Sequence, residues 1–356
     1  MTLRTGQSTR TLIGAGVSFD QRKGCLRAEL TTFAKLGVMK RRHLHPLSRM
    51  GETKLIQSVT EALNEEIDLS FEGQDAGAYR NLTPDELEKA IQTSLDYLAK
   101  EVQPSGSQYL TKWEAGWGEN LANLRQADNT SDITDILTPK FVKKDLPAKI
   151  RGRWVMPKSD DFEMWWVSRL RELLATSYLK DVKAIYEFGA GTGHNLLHFA
   201  SLLPGVELRG YDWSENSVAI LNEIATRTEA PLTGRILDLF NPVDFFLEHK
   251  SSEAALITMG TVEQLGKNFQ PCLDIILESN FEYVIHMETA YELYDPRVLV
   301  DFLSMKYLEK RDWSQGYFSE LRRLEAEGRV EIIEQARTFG SFFHEGYTVT
   351  IWRPIS

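Results

Sequence analysis

The chain of 356 residues predicts an α/β fold: a doubly wound, mostly parallel sheet preceded by a mostly helical N-terminal region. Three observations predict it. From Val182 onward, short apolar runs of strand length alternate with helical patterns, as βαβ units require. A glycine-rich turn joins the first of those runs to the helix after it. The chain then closes on two strand-like runs joined by a Gly-containing loop, which makes an antiparallel pair.

Residues 1–50 carry ten Lys/Arg against Asp20 and Glu29, so the remainder is strongly acidic within a net charge of −10. A basic arm can steer anionic partners, or it can cap an acidic body. Residues 56–67 and 87–102 place apolar side chains at helical spacing. Thr83-Pro84-Asp85-Glu86 supplies a cap residue, a first-turn proline and early acids for the second of these helices. The run from Lys112 to Asn120, with Trp113, Gly116, Trp117 and Gly118, is expected to interrupt the helical pattern. Trp113 and Trp117 would share a face if it did not. Residues 128–145 read as a linker, and Ser159-Asp160-Asp161 opens a helix through Trp165, Trp166, Leu170 and Leu174.

Strands are expected over residues 184–188, 206–211, 236–237, 254–259 and 283–287, with a helix over 216–226. A long helical stretch over 297–327, broken near Gly316, precedes the last strands at 330–336 and 347–352. The implied organisation is 1–150 as basic arm and helical region, 151–181 as a linking helix, and 182–356 as the α/β domain.

Apolar residues at 42% and charged residues at 26% fit an ordinary soluble globular chain. Two cysteines, Cys25 and Cys272, exclude a disulfide scaffold and a Cys-rich zinc module. No apolar run approaches the roughly 20 residues that span a bilayer, and no apolar h-region marks a secretory signal. The first nineteen residues resemble a transit peptide only loosely, so a cytoplasmic protein is expected. The acidic body makes nucleic acid an unfavoured partner.

The chemistry-bearing motif is Glu187-Phe188-Gly189-Ala190-Gly191-Thr192-Gly193-His194-Asn195, where a buried strand turns into a helix. Glycines let backbone approach a ligand, and the helix offers free N–H groups. The dinucleotide fingerprint G-x-G-x-x-G requires glycine at position 194, where His194 stands. Asp212 ends the second strand 21 residues after Gly191, where a ribose diol would be held. Asp238 follows the third strand.

Glu187, the three glycines, Asp212 and Asp238 together resemble the class I S-adenosylmethionine-dependent methyltransferases, over roughly residues 182–356. The resemblance implies a seven-stranded sheet, six strands parallel and the last antiparallel. It implies S-adenosylmethionine as cofactor: Gly189, Ala190, Gly191 and Gly193 would line its methionine part, with Glu187 supporting the loop or meeting the ammonium group through water. Asp212 would hold the ribose, Trp213 would lie beside the adenine, and Asp238 and Leu239 would meet the adenine edge. Met259 and Gly260, at the end of the fourth strand, would close that side. Residues 1–150 would serve as lid and acceptor-recognition region. A nicotinamide enzyme and a non-catalytic scaffold are the alternatives.

For the acceptor, Glu263, His286, Glu288, Tyr291, Arg337, Phe343, His344 and Glu345 gather after the later strands and suggest a polar small molecule, methylated at oxygen or nitrogen. His286 and His344 are the candidate bases, and Glu263 would place a cationic acceptor. His286 and Glu288 alternate by two and so share one strand face. A peptide acceptor recognised by the N-terminal region is the second expectation. No metal is expected, for want of a third ligand. Small-molecule methyltransferases are often dimers, which makes a homodimer an expectation by analogy.

Overall fold

The computed structural model describes residues 17–20, 25–28, 75–127, 133–138 and 145–355. Most of the basic arm and the helix expected over residues 56–67 lie outside them. The first described elements are a hairpin of β1 (Val17–Asp20) and β2 (Cys25–Ala28). They are followed by β3 (Tyr79–Asn81) and α1 (Pro84–Ala99). Helix α1 starts where its cap residues dictate. Thr83 Oγ1 accepts from Glu86 N–H while Glu86 Oε2 accepts from Thr83 N–H, a reciprocal capping box.

Helix α2 (Leu110–Gln126) runs unbroken through the segment expected to interrupt it. Two glycines cost propensity, yet Gly118 repays it by contact: a side chain there would meet Asn216 Nδ2 at 3.1 Å. Asn216 lies at the start of a later helix, and its N–H and Nδ2 donate to Glu114 Oε1 and Glu114 O. The glycine thus lets α2 lie close against that helix. Beyond α2 come α3 (Ile133–Leu137), β4 (Ala148–Ile150), β5 (Arg153–Pro157) and α4 (Phe162–Leu174), which ends in a wider π turn at Ala175–Leu179.

The main sheet comprises β6 (Ala184–Phe188), β7 (Glu207–Asp212), β8 (Leu232–Ile236), β9 (Ala254–Met259), β10 (Tyr283–Met287), β11 (Val330–Ala336) and β13 (Val349–Pro354). Its order is β11-β13-β10-β9-β6-β7-β8. Only β13 runs against its neighbours, β10 and β11, so six strands are parallel and the last is reversed, as expected. Strand β8 begins at Leu232, earlier than the expected 236–237, and β13 at Val349 rather than 347. The helices between are α5 (His194–Leu202), α6 (Glu215–Thr228), α7 (Gln270–Ser279), α8 (Leu299–Arg311) and α9 (Tyr317–Ala326). The break between α8 and α9 takes three left-handed residues, Asp312, Ser314 and Gly316.

A second sheet, not foreseen, joins distant parts of the chain. Its antiparallel order is β12-β4-β5-β3, where β12 is Phe339–Gly340. Three of its four strands have only two or three residues, too short to show a period of two, and β5, at five, shows an unbroken buried run from Trp154 to Pro157 rather than alternation. This sheet ties residues 79–81 and 148–157 to the segment that precedes β13. Among the described residues, no helix is long and apolar enough to cross a membrane.

Period-two alternation divides the core. Ala184, Tyr186 and Phe188 pack with α7 and α9 residues such as Leu273 and Leu321, while Ile185 packs with Trp166, Leu170, Phe199 and Leu221 from α4, α5 and α6. Glu187 therefore shares the α4/α5 face. Leu221 sits in a recess made by glycine. A Cβ on Gly210 would lie 2.7 Å from it, and one on Gly234 2.8 Å.

Gly210→Ala should overpack this contact and cost about 1–3 kcal/mol, whereas Leu221→Ala leaves a cavity costing about 2–5 kcal/mol. In the double variant the clash disappears, so denaturant melts should show it less destabilised than the two single changes added together. Strict additivity would contradict the packing described.

Candidate active site

Register brings the carboxyl ends of three strands together: Phe188 lies opposite Tyr211 on one side and Thr258 on the other. The loop after β6 therefore emerges between the ends of β7 and β9. Gly189, Gly191 and Gly193 take φ of 68°, 52° and 73°, values that glycine adopts without a Cβ penalty. Space demands glycine as well. A Cβ on Gly189 would lie 2.2 Å from Thr261 Oγ1, and one on Gly191 3.1 Å from the Trp117 ring.

Asp212 fixes the loop. Its Oδ2 accepts from Gly191 N–H at 2.9 Å and its Oδ1 from Ser214 N–H at 3.0 Å. The Ser217 hydroxyl donates to Gly191 O at 2.6 Å. Burial pushes the Asp212 carboxyl up, and the two N–H donors oppose that shift. Each carboxylate oxygen keeps a further lone pair for a ligand.

The loop, α2 and the segments after β8, β9 and β12 enclose a cavity of about 480 Å³. Gly189, Ala190, Gly191, Asp212, Trp213, Leu239, Met259 and Gly260 all line it, as do Leu237 and Phe240. Gly193 lies one turn deeper, against Leu221. Asp238 is not brought to the cavity. It is exposed and accepts from Phe240 N–H at 2.9 Å, capping its own turn. The adenine contact expected of Asp238 is therefore not supported, whereas Leu239, expected beside it, is on the wall.

Behind the loop lies a charged cluster. Glu187 Oε1 accepts from Asn195 Nδ2 at 2.7 Å, while Glu187 Oε2 and Asn195 Oδ1 are buried without a partner. Arg171 on α4, 1% exposed, leaves Nε and Nη2 unpartnered; its Nη1 reaches His194 O at 3.5 Å. Buried polar atoms normally find partners. Two orphan acceptors and two orphan donors complement the ammonium and carboxylate of an α-amino acid, the methionine end of S-adenosylmethionine, although of the three residues only Asn195 lines the cavity and Glu187 and Arg171 lie behind the loop. Arg171 was not singled out in the sequence. Its signal is position: with Val167, Leu170 and Leu174 it falls on the apolar stripe of α4.

The acceptor residues separate. His286 is fully buried in the core and not on the cavity wall. Its Nε2 accepts from Trp352 Nε1–H at 2.9 Å and lies 3.0 Å from Tyr317 OH, while Nδ1 meets Thr258 Oγ1 at 2.8 Å. The indole can only donate, so Nε2 carries no proton. Burial depresses the imidazole pKa to about 3. A ring with both nitrogens engaged in the core is a structural histidine, not the base expected of it. Glu288, on the same face, accepts from Thr258 and from the N–H groups of Thr261, Val262 and Glu263. Arg337 is held by Asp301 and Glu345, away from the wall.

Glu263 and His344 do line the cavity. Burial and the adjacent Glu288 carboxylate push Glu263 well above the usual range. Burial raises the Glu288 carboxyl as well, and its four donors oppose that shift. His344 stacks on Tyr307 at 5.5 Å and meets Trp313 edge-on at 5.4 Å. Its buried Nδ1 has no partner, and burial with the Lys149 and Arg311 cations lowers its pKa to about 3. The remaining wall is aromatic: Tyr109, Trp113, Trp117, Tyr307, Phe342 and Trp313. The density of polar residues read from sequence thus belongs largely to the core beneath. Among the described residues no cluster is arranged to hold a metal ion.

No family model and no curated protein matches the chain. Solved structures similar to it include magnesium protoporphyrin IX methyltransferase from Synechocystis PCC 6803 with bound SAH. That likeness has 12% identity, 70% of this chain, 99% of that one and a TM-score of 0.45. The PigF structure with SAH matches at 11% identity over 76% of this chain and 70% of that one, with a TM-score of 0.42. The CcbJ methyltransferase from Streptomyces caelestis matches at 15% identity over 52% and 89%, with a TM-score of 0.37.

Burial raises the Glu187 carboxyl from its ordinary range to about 8. The folded chain then keeps a proton that the unfolded chain releases near pH 4.5, so this group's contribution is full below that pH and is lost towards pH 8. Glu187→Gln, neutral throughout, should lose less stability than the wild type between pH 5 and pH 8. The difference should be on the order of a few kcal/mol, since one pKa unit is about 1.4 kcal/mol. Parallel losses in denaturant melts at the two pH values would contradict the buried, protonated carboxyl.

Proposed function

We propose that this chain is an S-adenosylmethionine-dependent methyltransferase acting on a small molecule. The observation that carries the proposal is the cavity over the strand ends, walled by the Asp212-held glycine loop and Asn195, with the unpartnered atoms of Glu187 and Arg171 buried behind that loop. Ribose hydroxyls would donate to the free lone pairs of Asp212. Trp213 and Phe240, 5.8 Å apart and tilted by 34°, would flank the adenine with Leu237 and Leu239.

Bound there, the cofactor supplies a methyl carbon that an acceptor lone pair takes as the bond to sulfur breaks, leaving S-adenosylhomocysteine. Charge is lost in such a step, so the protein's task is alignment in a dry pocket. Trp117 over Gly191 and the aromatic wall exclude water, while Met259 and Gly260 shape the passage between the two halves. His344 is the wall residue with an unpartnered ring nitrogen; with its pKa lowered to about 3 it accepts a hydrogen bond from the acceptor and takes the proton only as the oxygen gains the methyl group and becomes strongly acidic.

Titration calorimetry with S-adenosylmethionine and with NAD tests the assignment. Micromolar binding of the first and none of the second is expected; binding of NAD alone would overturn it. Asp212→Ala removes a charge-assisted contact worth about 1.5–3 kcal/mol and should weaken S-adenosylmethionine binding by at least about tenfold. Unchanged affinity would contradict the role given to Asp212.

A further inference from the structure

Beyond the glycine loop the cavity changes character. Helix α2 contributes Trp113 and Trp117, stacked at 5.4 Å and 20°. Helix α8 and the segment after β12 contribute Tyr307, stacked on Phe343 at 4.7 Å and 6° and on His344 at 5.5 Å and 19°. Two flat panels thus line one cavity. Flat rings favour flat ligands, by offset or edge contacts.

Charge narrows the class. No Lys or Arg is among the cavity-lining residues, and Arg171 lies behind the glycine loop, so nothing on the aromatic wall matches a phosphate or carboxylate on the acceptor. A cationic acceptor would seek the ring faces, but the Arg311 guanidinium already covers Trp313 at 4.7 Å and Tyr109 at 5.5 Å. The wall carboxyls are committed too: Tyr347 OH donates to Glu163 at 2.5 Å, and Glu263 accepts from Thr289 N–H. A sugar would leave several hydroxyls unpaired against the rings, at a cost.

One ring on this wall offers a buried, unpartnered acceptor. His344 makes no hydrogen bond with any described residue, and its Nδ1 is buried without a partner. A neutral imidazole accepts from a hydroxyl through one nitrogen and donates through the other. The segment that carries it is anchored, since Lys149 Nζ donates to Phe343 O at 3.0 Å and to Val300 O at 3.2 Å on α8.

Resting on the methyltransferase reading above, we propose that the acceptor is an uncharged planar aromatic alcohol, a phenol or naphthol. Its ring lies among Trp113, Trp117 and Tyr307, and its hydroxyl donates to His344. The same nitrogen receives the hydroxyl proton when the oxygen is methylated.

The test uses the full-length protein with S-adenosylhomocysteine present, read by calorimetry and by quenching of tryptophan fluorescence. The probes are 2-naphthol, naphthalene, 1-naphthylmethylamine and glucose. We expect 2-naphthol to bind at least about tenfold more tightly than the other three, in keeping with one well-made hydrogen bond. His344→Phe keeps the stacked ring and removes both nitrogens. It should reduce 2-naphthol to the affinity of naphthalene while naphthalene itself binds as before, which controls for folding. Equal binding of 2-naphthol and naphthalene to the wild type, or tighter binding of the amine or glucose, would overturn the proposal. S-adenosylmethionine binding without 2-naphthol binding overturns the acceptor class alone. Naphthol binding without S-adenosylmethionine binding supports the pocket and overturns the methyltransferase reading alone.

Discussion

The carboxylate of Asp212 is the constraint on which the site depends. Standing at the end of β7, it reaches sideways to Gly191 N–H and forward to Ser214 N–H, so one group ties the loop after β6 to the start of α6. Without that link, a loop with three alternate left-handed glycines would have many conformations open to it. With it, the loop presents its backbone to the cavity in one shape. Ser217 returns a hydrogen bond to Gly191 O and closes the circuit.

The second dependence runs through α2. This helix lies along α6 through Glu114 and Asn216, and Arg227 donates to Ala127 O at its far end. That docking places Trp117 over Gly191 and Trp113 beside it, so a segment far from the α/β domain in sequence supplies a wall of its cavity. The small sheet through β12 and β4 works likewise for the opposite wall. It fixes where the segment bearing Phe342, Phe343 and His344 departs, and Trp154 Nε1 donates to Phe342 O at 3.0 Å.

The α/β half was legible in the sequence because its strands are apolar runs bounded by turns, and β6, β9, β10 and β11 fall where those runs lie. The glycine loop and Asp212 were legible because their spacing follows from the βαβ geometry. Other features were hidden for physical reasons. Helix α2 was obscured by Gly116 and Gly118; the value of Gly118 is contact with a helix a hundred residues away, while Gly116 faces open space. Asp238 was misplaced because a turn can cap itself with the side chain that a ligand would use. His286 read as a base because polar residues on strand ends often face ligands; its Trp352 and Tyr317 partners come from elements remote in sequence. Arg171 carried no mark in the sequence, because only the packing of α4 shows that its nitrogens are buried without partners.

The central claim is that the cavity takes a nucleoside bearing an amino acid, with Asn195 on its wall and Glu187 and Arg171 behind the loop answering the amino-acid end once it is bound. Calorimetric comparison of S-adenosylhomocysteine with 5′-methylthioadenosine tests it most directly, because the two share the adenosine and thioether and differ in the amino-acid group. The account predicts that S-adenosylhomocysteine binds at least about a hundredfold more tightly, as two charge-assisted contacts would give. Equal affinity for the two would contradict it.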